Sequence, residues 1–143
     1  MEKIPNAKVW ILGREYLEAA ESLVKEMKLW PAAVLAALSI EIFLKSFLAQ
    51  EDKHGYPSTQ RGHPLTDLFS KIDVADQAEI IRFSSQIDST YDVRASLAKF
   101  NDIFTVARYR YEREAVKSVG NDIVIFACHL CDAILELGKS RGV

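Results

Sequence analysis

Residues 29–48, LWPAAVLAALSIEIFLKSFL, constrain the fold more than any other part of the chain. Ala33, Ala36, Ile40, Phe43 and Phe47 form one apolar stripe at helical spacing, and Val34, Leu38, Leu44 and Leu48 occupy other faces. A helix that is apolar nearly all round must be enclosed, by other helices or by lipid. Glu41 and Lys45 decide between the two, because charges inside a span cost several kcal/mol at the bilayer centre. Pro31 suits the first turn, where its missing N–H is no loss. The stretch therefore reads as the central helix of a bundle.

The rest of the chain supplies the partners for that helix. Asn6 is placed to cap a first helix that carries Val9, Leu12, Tyr16, Ala20, Leu23 and Met27 on one stripe and ends near Lys28. Glu51 to Pro64 has no periodicity and reads as a loop. A short helix follows with Leu65, Leu68, Phe69 and Ile72 on one side, then another over Val74 to Tyr91. Val93, Leu97, Phe100, Phe104, Ala107 and Tyr111 predict a long helix reaching about Glu112. After a break at 118–121, Ile123, Phe126, Ala127, Leu130, Ile134 and Leu137 mark the last one. No period-two strand pattern occurs. The expectation is an all-α, antiparallel four- to five-helix bundle, one domain over 1–143, with a short extra helix after the 51–64 loop.

Composition bears on function rather than fold. Eighteen Lys and Arg against 20 Asp and Glu give a formal charge of −2, which excludes coating nucleic acid or anionic membrane by bulk charge. Two Cys exclude a multi-disulfide secreted scaffold. The early apolar cluster Val9 to Leu12 is too short for a secretory core. The expected location is the cytoplasm, without a membrane anchor.

Three polar features stand out against this background. Glu41 shares a stripe with Ala37, Leu44 and Leu48, so its carboxylate is either buried with a partner or at the mouth of a cleft; Lys45 is the local partner at i+4. Arg108-Tyr109-Arg110-Tyr111-Glu112-Arg113 interleaves guanidinium groups with aromatic rings, a pattern that clamps phosphate and stacks bases. The same pattern also serves a helix that packs its rings inward. From Arg94 to Lys117 there are six basic residues and three acidic ones, whereas 67–92 leans acidic. His63, in Gly62-His63-Pro64-Leu65, stands at a turn and titrates near neutral pH, so it is a candidate for acid–base work or for a loop contact.

Cys128-His129-Leu130-Cys131 lacks the second ligand pair that a structural zinc site uses, and reads as packed free cysteines. No phosphate loop, dinucleotide fingerprint or zinc-protease helix is present. The sequence suggests neither a metal nor a cofactor.

Together, the Ala37-Leu38-Ser39-Ile40-Glu41-Ile42-Phe43-Leu44-Lys45 helix, the Gly62-His63-Pro64-Leu65 step with Leu68-Phe69, and the Arg108-Tyr109-Arg110-Tyr111-Glu112 segment resemble a HEPN domain. The resemblance covers nearly the whole chain. It implies a small cytoplasmic protein that forms a homodimer. It further implies a nucleotidyltransferase or antitoxin partner, in a toxin–antitoxin, antiviral or nucleotidyltransferase-associated system. Catalytic HEPN ribonucleases carry an arginine followed four to six residues later by a histidine. Here His54, His63 and His129 follow no arginine at that spacing. The resemblance is therefore to the non-catalytic subset, and it implies a binding module rather than an enzyme. Arg108, Tyr109, Arg110, Tyr111 and Glu112 would meet RNA or a nucleotide phosphate, with Glu41 paired to Arg108 or Arg110 and holding it in place, and Lys45 and His63 beside them. Two rivals stand beside it: an assembly protein without ligand, and a degenerate ribonuclease that brings His63 to Arg108 or Arg110.

Overall fold

The computed structural model describes residues 3–51, 57–58, 64–103 and 120–142. Among them are six helices: α1 (Ala7–Lys25), α2 (Leu29–Lys45), α3 (Leu65–Lys71), α4 (Val74–Ile87), α5 (Val93–Phe100) and α6 (Asp122–Ser140). The protein is an all-α bundle with α2 at its centre. Ala32, Ala33, Ala36, Ala37, Ile40, Phe43 and Leu44 are all buried, as the nearly continuous apolar run requires.

α1 and α2 form an antiparallel hairpin. The Asn6 amide, just before α1, donates to the Ser46 carbonyl, just after α2, at 2.8 Å. Asn6 also caps α1, its Oδ1 accepting from the Val9 amide at 3.2 Å. The two helices approach closely at Gly13, where a Cβ would stand 2.8 Å from the Phe43 ring. A Schellman motif ends α1. Lys28 N–H donates to Leu23 C=O and Met27 N–H to Val24 C=O, both at 2.9 Å. Met27 takes the left-handed position with φ +60°. Helix α1 consequently stops at Lys25, a turn earlier than its apolar stripe implies.

α6 runs antiparallel to both α1 and α4. Arg141, at its end, donates from Nη1 to the Lys3 carbonyl before α1 at 2.6 Å and to Asp76 Oδ1 in the first turn of α4 at 2.7 Å. Since α1 opposes both, α2 and α6 point the same way. The core that these helices enclose includes Phe43, Phe69, Phe126, Ile40, Leu130 and Ile134, each almost fully buried. Each contributes about 1.5–3 kcal/mol relative to an exposed position.

Two further boundaries differ from the sequence reading. α4 ends at Ile87 rather than Tyr91, because Asp88 Oδ1 accepts from the Thr90 amide at 2.9 Å and turns the chain. α5 ends at Phe100, and 101–102 form a turn before Ile103 resumes helix. Asn101 and Asp102 are poor helix-interior residues, and the Asn101 side chain is engaged elsewhere. The continuation of this helix through Phe104, Ala107 and Tyr111 lies outside the described residues. Finally, Gln50–Glu51 (β1) pairs antiparallel with Pro57–Ser58 (β2), Gln50 opposite Ser58, a two-residue ladder inside the expected loop.

Candidate functional site

Arg108, Tyr109, Arg110, Tyr111, Glu112 and His63 lie outside the described residues. What the structure describes is the frame from which they depart. The Thr66 amide, in the first turn of α3, donates to Asn101 Oδ1 at 3.0 Å, and Asn101 Nδ2 donates to the Thr66 hydroxyl at 2.8 Å. One bond satisfies an orphan amide of the helix start, and both tie that start to the end of α5. Lys99, also near the end of α5, meets Asp122 at the start of α6 with Nζ–Oδ2 2.7 Å. Phe100 stacks on Phe126 with ring centroids 6.0 Å apart.

These contacts make one corner of the bundle out of three helix ends. His63 precedes Thr66 by three residues, and Arg108 follows Asn101 by seven. The Lys99–Asp122 contact joins the end of α5 to the start of α6.

Two of the six basic residues between 94 and 117 are already occupied inside the fold. Arg94 Nη2 donates to Gln77 Oε1 at 3.0 Å, and its guanidinium lies 5.1 Å from the centre of the Phe69 ring. Gln77 Nε2 in turn donates to the Ile72 carbonyl at 2.6 Å, so this chain of bonds knits α3, α4 and α5 together. Lys99 is held by Asp122.

Glu41 and Lys45 form an ion pair of 3.5 Å, each side chain 14% exposed. They lie on the partly buried face of α2, with Leu38 and Leu48 before and after them on the same face. The Glu41 carboxylate therefore has the local partner that its spacing suggests. This pair sits in the last turn or so of α2, at the end shared with the start of α1 and the end of α6, whereas the corner lies where α6 begins.

Sequence reasoning missed a buried polar contact between α4 and α6. Ser84 Oγ and His129 Nε2 are 2.7 Å apart, and Tyr91 stacks on the imidazole at 4.0 Å with a 16° interplanar angle. Burial pushes the His129 pKa down, opposed by the Asp88 and Asp132 carboxylates. Ser84 is fully buried, so the pair has no access for a substrate and acts as a cross-brace. The signal was present: Asp76, Ile80, Ser84 and Ile87 share one stripe, and two of these four are polar. Asp76 is likewise buried, and Arg141 is its ion-pair partner, with side-chain exposures of 1% and 7%.

Cys128 and Cys131 are free thiols facing α1. Burial pushes them up to about 11 and about 12, which keeps them protonated and unreactive at neutral pH. Among the described residues, no group of three or more His, Cys, Asp or Glu is arranged to hold a metal ion. Nor is any described helix long and apolar enough to cross a membrane.

Comparison with protein-family models, with curated proteins and with solved structures returns no match for this chain.

Proposed function

We propose that the chain is a HEPN-like binding module that holds RNA or a nucleotide by its phosphates through the Arg108–Arg113 segment. Arg108 and Arg110 supply charge-assisted bonds to phosphate, and Tyr109 or Tyr111 supplies a stacking face. Glu112 orients an arginine, and His63 approaches from the start of α3. The observation that supports this reading most is the pair of hydrogen bonds between Thr66 and Asn101. It joins Thr66 and Asn101, the former three residues after His63 and the latter seven before Arg108, which favours one ligand shared by residues 45 positions apart in sequence. With a formal charge of −2 overall, binding by phosphate must be local, and this stretch holds the most concentrated basic residues. The resemblance adds the rest of the proposal: a cytoplasmic homodimer that works beside a nucleotidyltransferase or an antitoxin.

In the rival assembly reading the basic segment and the acidic stretch before it meet across a subunit boundary, with no small ligand. An electrophoretic shift assay separates the readings. Purified protein is incubated with labelled single-stranded RNA at low and moderate salt, beside an Arg108→Ala, Arg110→Ala double variant. A salt-weakened shift without cleavage, lost in the variant, supports the binding module. Cleavage that the variant abolishes moves the protein to the degenerate ribonuclease, and the absence of both leaves the assembly role.

A further inference from the structure

A groove runs along the outer face of the bundle between α1 and α6. Its first hollow, about 210 Å³, is walled by Pro5, Trp10, Ile11, Ile134, Leu135 and Gly138. A second, about 310 Å³, shares Trp10 and Leu135 and is edged by Arg14, Glu18, Glu21 and Asp132. The groove is thus apolar at the end where α1 begins and acidic further along. Ile11 stands 52% exposed on its rim. Arg14 is engaged by Glu18 at 3.2 Å and lies 5.7 Å from the centre of the Trp10 ring, which leaves Glu21 and Asp132 as a negative edge. Glu21 faces Cys128 across the groove, so its carboxylate lies inside the channel.

We infer that this groove takes one amphipathic helix of a partner protein, with apolar side chains in the first hollow and lysine or arginine against Glu21 and Asp132. The charge and the shape agree on this occupant. A groove between two antiparallel helices accepts a third helix through apolar anchors spaced by three and four residues. From Ala7 to Glu21 the channel extends about 21 Å, which is about four helical turns. The acidic edge selects a basic flank and repels an acidic one. This site is separate from the corner proposed for phosphate, and its charge is of opposite sign to phosphate's counterpart.

The test uses the full chain and a labelled helical peptide of about 16 residues, matched to the groove length, with leucines along one stripe and lysines beside it. Two control peptides carry glutamates in place of the lysines, or the same residues in scrambled order. The lysine helix alone is expected to bind, and Ile11→Ser is expected to weaken it about tenfold. A Glu21→Lys, Asp132→Lys double variant is expected to prefer the glutamate helix. Ile11 and Glu21 are exposed, so circular dichroism should show the variants folded. Binding that is absent, shared by the scrambled peptide or indifferent to Ile11→Ser overturns the inference. Self-association of the protein that Ile11→Ser abolishes also overturns it, and assigns the groove to a second copy.

Discussion

Asn101 uses both ends of its amide on Thr66: Oδ1 accepts from the backbone amide at 3.0 Å, and Nδ2 donates to the hydroxyl at 2.8 Å. Helices α3 and α5 are 35 residues apart at this contact, and the link fixes where both candidate segments start. Two hydrogen bonds of about 1 kcal/mol each are lost in Asn101→Ala. Thermal or urea unfolding should show a loss of about 2 kcal/mol. Under conditions where the variant remains folded, its RNA affinity should also fall, although no phosphate ligand has been removed. Wild-type stability in Asn101→Ala would show that the corner is not held by this bond.

His129 gives the protein an acid-sensitive brace. Burial depresses its folded pKa below 6.5, and Ser84, Tyr91, Asp88 and Asp132 are the groups that face it. Between the folded and unfolded pKa values the unfolded chain binds more protons, so stability rises with pH there. The contribution of His129 is complete above about 6.5, the unfolded value, and is lost as pH falls below it. Urea titrations at about pH 7.5, 6.0 and 5.0, which span that unfolded pKa, should show this decline. His129→Gln should flatten it.

Arg141 donates from Nη1 to the buried Asp76 carboxylate and also to the Lys3 carbonyl. Removing one member of a buried pair strands the other charge, at a cost of about 3–5 kcal/mol. Arg141→Ala should therefore destabilise strongly, and adding Asp76→Asn to it should recover part of the loss. A double variant as unstable as the sum of the two singles would show that the pair is not coupled.

Met27 occupies a left-handed position that glycine takes without strain, and its side chain is 76% exposed, so little packing is at stake. Met27→Gly should stabilise the protein by about 1 kcal/mol, the usual cost of a side chain there. Differential scanning calorimetry reads the result as a higher Tm. An unchanged or lower Tm would mean that the greater freedom of glycine in the unfolded chain cancels the relief.

The helices were legible because apolar spacing is a local property. The Ala-rich α2, the Asn6 cap and the stripe of α6 follow from residues within a few turns of one another. Boundaries were less legible, since Asp88, Asn101 and Met27 end or turn the chain through contacts that periodicity does not encode. Most of the polar framework was hidden for the same reason. Ser84–His129, Thr66–Asn101 and Asp76–Arg141 join residues 45, 35 and 65 positions apart, and no spacing rule links such pairs. Glu41–Lys45 was legible as one of two candidate pairings because its members are one helical turn apart, the other being Glu41 with Arg108 or Arg110, which lie outside the described residues.

The central claim is that Arg108 and Arg110 grip phosphate. The salt dependence of single-stranded RNA affinity tests it most directly, because each neutralised phosphate adds about 0.7 to the slope of log K against log salt. Fluorescence anisotropy across a salt series should give a slope about 1.4 shallower for the Arg108→Ala, Arg110→Ala variant, with weaker binding at every salt. Equal slopes and equal affinities for the two proteins would contradict the claim, as would no RNA binding by the wild type.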